Sequence, residues 1–316
     1  MHDLMKNPHI SLLGKGESNL NYLAEENGTK LVVRMVRDDV PLHNRLATEH
    51  HFMMFAEALK IKFAPKSVLY DPVQDIHIIS YVDGKDGSAA DLNEAQAKIF
   101  SKQLKLLDSI KYDDYLTWCR KSKQQPHIPH TFFTRNKINF DDRLQTIREH
   151  TKDDFAQKVL AWAEPKVEVL YEAAQQAKLE LRFLHNDLRW NEGGGNLKIS
   201  DDKVFFIDWE LAGFFEDAVP EIGDVIGSIR SMNAGKLAMK RLYDTYTAKE
   251  KDIKQLDNSI IYGILWGKLG NPLWAAERYF LLLRINHPEI ERYKILADRG
   301  MQDANPYFAL PFRDWF

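Results

Sequence analysis

A length of 316 residues with 44% hydrophobic content supports a sizeable core, in one large domain or two modest ones, without disulfide or metal staples. The formal net charge of -3 shows no basic excess, which excludes nucleic acid as the main partner, and the single cysteine, Cys119, excludes an intramolecular disulfide and suits a reducing, cytoplasmic setting. The start, Met1 to Lys6, lacks a basic segment followed by an apolar run, and no stretch approaches the ~18 consecutive apolar residues of a membrane helix, so no membrane partner is expected.

Ser11 to Asn19, with Gly14 and Gly16, reads as a glycine-bearing turn, and Leu20 to Ala24 alternates like a half-buried strand. Asn27-Gly28 marks a tight reversal into the β-branched run Lys30 to Val36. From Asn44 to Leu59 the apolar positions Leu46, Phe52, Phe55, Ala56 and Leu59 recur near helical spacing, with Glu49 in the second turn. Val68 to Tyr70 and Ile76 to Val82 supply two further strands around Asp71-Pro72. Asp83 to Ser88 is the candidate hinge, ahead of a helix starting near Asp91.

After the hinge the pattern changes. Helical spacing dominates from Leu92 to Leu107 and from Asp154 to Ala177, and a hairpin of Asn196 to Ser200 with Val204 to Ile207 turns at Asp201-Asp202. Helices then fill Ile222 to the C-terminus, and the apolar window Ile260 to Leu265, soon interrupted by Lys268, reads as a buried helix segment. The expected fold is α+β and bilobal: a small antiparallel-sheet N-lobe over residues 1–82, a larger, mainly helical C-lobe over residues 83–316, and an active-site cleft between them.

The most informative motif is His185-Asn186-Asp187-Leu188, followed by Phe206-Ile207-Asp208-Trp209-Glu210. It pairs an aspartate on a loop, able to take a hydroxyl proton, with one at the end of an apolar strand, able to hold a divalent metal; phosphoryl transfer needs both. An isolated His-x-Asp is more often a loop cap. Gly14-x-Gly16 alone marks ordinary turns, and no Gly-Lys-[Ser/Thr] closes it into a Walker A loop. Arg34 and Glu49, taken singly, read equally well as surface positions; the order of all these features together carries the functional reading.

In that order, from about Leu13 to Leu273, the motifs resemble the protein-kinase-like fold, in the branch holding the aminoglycoside phosphotransferases and the choline and ethanolamine kinases. Asp208-Trp209-Glu210 stands where protein kinases carry Asp-Phe-Gly, as in the small-molecule kinases. The resemblance implies that Asp187 is the catalytic base, that His185 braces its loop and that Asp208 ligates magnesium. Arg34 takes the place of the strand lysine that grips ATP phosphates, with Glu49 as its partner. Gly14 to Asn19 would fold over the phosphates, offering backbone N–H groups and the Ser18 hydroxyl. The strand Ile79 to Val82 would meet the adenine, with Ser80 and Val82 as contacts. Glu221 matches the acidic residue that anchors the catalytic loop.

For the second metal ligand three positions stay open. The fold places an asparagine where this chain has Glu192, with Asn191 just before it and Asn196 beyond Gly193-Gly194-Gly195. The implied acceptor is a small cationic alcohol, choline- or ethanolamine-like or aminoglycoside-like. Trp190, Trp209, Trp266, Trp274, Tyr262 and Tyr279 offer material for a cation–π cage, Asp217, Glu277 or Asp303 for ammonium binding, although most large aromatics are simply core. His50-His51 and His127-x-x-His130 lack companion ligands and read as exposed polar residues. Competing readings are a metal-dependent phosphohydrolase, which gains nothing from Arg34 or the glycine turn, and a nucleotide-binding pseudokinase. A protein kinase is disfavoured, with no Ala-Pro-Glu segment and little chain between Asp208 and Glu221.

Overall fold

A computed structural model describes residues 8–16, 18–37, 45–190, 195–200, 203–230 and 234–316, and at 91 and 132–139 the backbone alone. The N-terminal region is an antiparallel sheet of β1 (His9–Lys15), β2 (Asn19–Glu26), β3 (Thr29–Val36), β4 (Ser67–Asp71) and β5 (Ile76–Ser80), in the order β1-β2-β3-β5-β4. Residues 11–15, expected as turn, belong to β1, and Asn19 already belongs to β2. The β1–β2 ladder, with a register shift at Leu12/Gly14, captures this segment as strand. Asn27 and Gly28 both have positive φ, as the tight turn between β2 and β3 requires.

Alternation along β3 and β5 sorts the side chains to two faces. Leu31, Val33 and Ile78 join Ala24 in a small separate cluster on one face. Val32 and Ile79, directly opposite each other, lie on the other face and join the main core under α1 (Leu46–Ala58), and the next facing pair on that side is Arg34 and His77. The sheet therefore presents one cation and one histidine to the helix that carries Glu49.

After β5 the chain enters β6 (Lys85–Asp86), where the sequence suggests an irregular hinge. Gly84, at φ 149°, lies so close to Ile199 that a Cβ would stand 2.9 Å from its carbonyl oxygen. The segment is thereby tied to the C-terminal part. There follow α2 (Glu94–Asp108), α3 (Tyr112–Ser122), α4 (Phe132–Arg148) and α5 (Asp154–Gln176). The α2 start shows a capping box between Asn93 and Gln96, and Asp153 caps α5 through the N–H groups of Phe155 and Ala156. Then come β7 (Glu180–Leu184), β8 (Leu197–Ser200), β9 (Lys203–Phe206) and β10 (Gly213–Ala218), with β7 paired to β10 and β6, β8 and β9 forming a second small sheet. β7 and β10, absent from the sequence reading, are short strands pairing across a long separation, a contact that local pattern does not encode.

The remainder is α6 (Ile222–Ser228), α7 (Ala234–Thr247), α8 (Ile253–Leu283) and α9 (Ile290–Ala309). Helices α6 and α8 touch backbone to backbone. A Cβ on Gly223 would lie 2.8 Å from the Ile260 carbonyl oxygen, and one on Gly227 2.6 Å from that of Ile264. Among the described residues, no helix is long and apolar enough to cross a membrane.

Candidate active site

The site is built where three chain segments meet: the α1-facing side of β3 and β5, the loop after β7, and the turn after β9. Arg34, on β3, is buried and reaches two acids. One guanidinium nitrogen donates to Glu49 Oε1 and the other to Asp208 Oδ1 at 2.7 Å, with Glu210 Oε2 at 3.9 Å. Burial alone would weaken the guanidinium's hold on its proton, but Asp208 and Glu49 overcome it and drive the pKa above the ordinary arginine value. Glu49, itself fully buried, is further held by the Trp209 N–H at 3.3 Å and by His77 Nδ1 at 2.9 Å.

The Asp208-Trp209-Glu210 segment follows β9 directly. Asp208 adopts left-handed backbone angles, φ 65° and ψ 63°, uncommon for a residue with a side chain. Asn186 (φ 65°) and Asn196 (φ 59°) share this conformation, so three positive-φ positions converge on one site. Glu210 accepts from Asn19 Nδ2 at 2.8 Å, which ties the start of β2 to this segment. Burial and the neighbouring Asp208 raise the Glu210 pKa.

Asp187 lies on the loop after β7. Its Oδ2 accepts from Asn196 Nδ2 at 2.8 Å, the same amide nitrogen bonding the Asp187 carbonyl at 2.9 Å, and its Oδ1 pairs with Arg189 at 2.8 Å. Burial raises the Asp187 pKa and Asp208 adds to the rise, against Arg189 and Asn196. The two aspartates therefore share one electrostatic neighbourhood. Asn196 is held in place by its own backbone, whose carbonyl accepts from Ile207 N–H at 2.9 Å. Just before it, a Cβ on Gly195 would stand 2.0 Å from the Arg189 carbonyl, so only glycine permits this return of the chain. Of the candidate metal-ligand positions, Asn196 lies beside Asp187, and Asn191 and Glu192 lie outside the described residues.

The loop is anchored from α6. Glu221, at the α6 N-terminus, accepts backbone N–H bonds from His185 at 3.0 Å and Asn186 at 2.6 Å. Burial pushes its carboxyl up to about 8 against the pull of those two donors. A carboxyl raised in this way binds its proton more tightly folded than unfolded. Its contribution to stability is thus greatest at low pH and is lost as pH rises from the ordinary glutamate range through about 8. Chemical denaturation at pH 5 and pH 9 should show the wild type losing more than about 1.4 kcal/mol, one pKa unit's worth, from this group, a slope that Glu221→Gln removes whatever constant offset it introduces. An equal slope in the variant would place the titration elsewhere.

His185 is fully buried, its ring edge-on to Trp209 at 5.0 Å and to Phe206 at 6.1 Å. Burial lowers its pKa to about 4, with Asp208 and the Ile207 carbonyl acting in the opposite direction, so it stays neutral. At the glycine turn, Gly16 N–H bonds the Asn19 carbonyl at 2.8 Å, and Arg37 clasps the other side, donating to the Gly16 carbonyl at 2.7 Å. Ser18 is half-buried and its carbonyl accepts the Arg37 N–H at 2.9 Å. Gly14 lies within β1 with open space around it. Ser80 is committed to β4, its N–H and hydroxyl both bonded to the Lys66 backbone, while Val82 lies beyond the end of β5.

Several expected cage residues are core. Trp190 packs on Phe100, Trp209 on Phe183 and His185, Trp274 on Tyr293, and Tyr279 on Phe155 and Phe280. Trp266 instead lines a small hollow with Asn186, Glu221 and Asp224. Glu277 pairs with Arg143 at 3.3 Å and Asp303 with Lys268 at 2.6 Å, so neither carboxylate lacks a cation. His51 is buried and bonded to the Tyr115 hydroxyl at 2.8 Å, correcting its reading as exposed. Sequence reasoning missed His77, Arg189, Arg37 and Asp224. Arg189 is signalled only by its closeness to Asp187, and Asp224, whose carboxyl burial raises to about 7, only by its helical spacing from Glu221.

A sheet with one helix, joined through Arg34 to the strand-terminal Asp208, with Asn196 linking that segment to the loop aspartate Asp187, defines a protein-kinase-like phosphotransferase. The profile of the phosphotransferase enzyme family matches residues 9–215, and the chain belongs to that family. Its fold is similar to a choline/ethanolamine kinase family protein from Mesorhizobium loti (TM-score 0.66, 16% identity, covering 96% of this chain and 89% of that one). It is similar also to an ethanolamine kinase from Plasmodium vivax (TM-score 0.67, 17% identity, 99% and 86% covered). A spectinomycin phosphotransferase solved with ADP and spectinomycin aligns with TM-score 0.56 and 11% identity, covering 96% and 93%. No curated protein sequence matches the chain.

Proposed function

We propose that the protein transfers the terminal phosphate of ATP to the hydroxyl of a small cationic molecule, with residues 1–82 holding the nucleotide and residues 83–316 the acceptor. The observation that carries this reading is the chain Glu49–Arg34–Asp208, tied to Asp187 through Asn196, whose carbonyl accepts from Ile207 beside Asp208 and whose amide donates to the Asp187 carboxylate. A phosphohydrolase would have no use for a buried arginine aimed from a strand into the carboxylate site.

In this reading Asp187, fixed by Asn196 and Arg189, orients the acceptor hydroxyl and takes its proton late in the transfer. Arg34 grips phosphate oxygens as a fork, and Ser18, on the glycine turn, offers a further donor. Asn19 closes the turn over the Asp208 segment through Glu210. Val82, past the end of β5, faces the adenine; Ser80 helps by fixing the strand, since its N–H is given to the Lys66 carbonyl and its hydroxyl oxygen accepts from the Lys66 N–H. His185 serves as an apolar wedge, neutral under Asp208.

Magnesium fits the donors present. Asp208 brings a carboxylate and Asn196 an amide oxygen, since its nitrogen is engaged with Asp187; burial raises Asp187 and Glu210, and the repulsion that Asp208 adds is the part a cation relieves. When bound, it supplies neutralisation of phosphate charge. Among the described residues no three His, Cys, Asp or Glu side chains form a cage by themselves, so phosphate oxygens would have to complete the shell.

The acceptor class rests on the kinases and phosphotransferases that share the fold. Screening magnesium-ATP consumption across choline, ethanolamine, thiamine, aminoglycosides and simple sugars should yield acceptor-dependent ADP release with one cationic alcohol. ADP release that is equal with and without every acceptor would point to hydrolysis, and none at all to a pseudokinase.

A further inference from the structure

Glu49 is fully buried, and its two oxygens are served from different strands. Oε1 takes Arg34 and the Trp209 N–H; Oε2 takes His77 Nδ1 at 2.9 Å. Because Arg34 and His77 are direct partners across β3 and β5, their side chains leave the same face and arrive at the same carboxylate. An ionised carboxylate only accepts, so His77 carries a proton on Nδ1 in either charge state. Behind it, His77 Nε2 lies 2.9 Å from Ser67 Oγ, and Ser67 Oγ lies 2.7 Å from His50 Nδ1. With the His77 proton on Nδ1 alone and the His50 proton on Nδ1, the donors run in one order: His50 to Ser67, Ser67 to His77, His77 to Glu49.

We infer that His77 is a positioning residue for the transfer: by fixing Glu49 Oε2 it sets the rotation of the carboxylate that aims the Arg34 guanidinium at Asp208 and the nucleotide phosphates. Without that donor, Glu49 keeps partners among the described residues on Oε1 alone, and its other oxygen is buried without one of them. The carboxylate then turns, and Arg34 loses the fixed plane on which a two-pronged phosphate contact depends. His50 and Ser67 set the tautomer of His77, as an outer layer orients an inner one.

The inference rests on the proposed role of the Arg34–Glu49 pair in nucleotide binding, and the experiment separates the two. Titration of the full-length protein with magnesium and the ATP analogue AMP-PNP is to be run for wild type, His77→Leu, His77→Asn, Glu49→Gln and the double variant. The expected result is about a tenfold loss of affinity for Glu49→Gln and for His77→Leu. His77→Asn, whose amide nitrogen can replace Nδ1–H, should return to within about threefold of wild type. The double variant should be no weaker than Glu49→Gln alone, as two links of one chain require. Should His77→Leu not fold, His77→Phe, which keeps a ring without a donor, takes its place. Wild-type affinity in the donorless variant beside a weakened Glu49→Gln overturns the role of His77 alone. Unchanged affinity in Glu49→Gln, or no binding by wild type, overturns the pair's role and the inference with it. Losses at His77 and Glu49 that add in the double variant would make His77 merely structural.

Discussion

Asp187→Asn should reduce phosphoryl transfer by about a thousandfold, within the range that a positioned proton acceptor contributes, while leaving nucleotide affinity within about twofold. Asparagine has nearly the shape of aspartate, so the loop held by Glu221 and the return at Gly195 should keep their geometry. What changes is the charge facing the acceptor hydroxyl and the ability to receive its proton. The loss should fall on kcat, because Asp187 is reached by Asn196 and Arg189 rather than by the residues proposed to hold phosphate. The measurement is ADP release with the acceptor identified in the screen, alongside a nucleotide titration. Turnover within tenfold of wild type would show that another group takes the proton, and parallel loss of nucleotide binding would show that Asp187 serves the phosphates.

Arg34→Met should be the most damaging single change to stability in the site. Arg34 and Glu49 are both buried, so removing the guanidinium leaves a carboxylate in the interior without its cation and Asp208 without its nearest partner. Breaking a buried pair from one side costs about 3–5 kcal/mol. The lower end is expected, since His77 and the Trp209 N–H still donate to Glu49. Arg34→Lys should fall between, because a single ammonium cannot reach Glu49 and Asp208 with separate prongs. Denaturant unfolding of the three proteins tests the order; equal stability of Arg34→Met and wild type would mean that the pair contributes nothing net.

Much of the site was legible because its residues carry chemistry at short spacings. His185 to Leu188 and Phe206 to Glu210 are contiguous, and Glu49 announces itself as an acid within an apolar helical pattern. The fold class followed from the change in periodicity near residue 83. What escaped is long-range. Nothing in Ile76 to Ser80 tells that β5 pairs with β3 rather than with β2, and only that register makes His77 the partner of Arg34. That Asn196 reaches Asp187 could not be found by counting, since it depends on how closely the chain at Gly195 returns to Arg189, a matter of backbone contact. The tryptophans and tyrosines left both readings open in sequence, because a large ring filling a core and one lining a binding site look alike there, and Trp190, Trp209 and Tyr279 fall to the core.

The glycine-to-glycine seam between α6 and α8 fixes where the loop that bears Asp187 is held. Because main chain abuts main chain there, any side chain larger than hydrogen at Gly223 or Gly227 would have to push α6 off α8, and Glu221, which grips that loop from the start of α6, would move with it. The pose of a chemically equipped segment is thereby tied to two positions that carry no functional group at all.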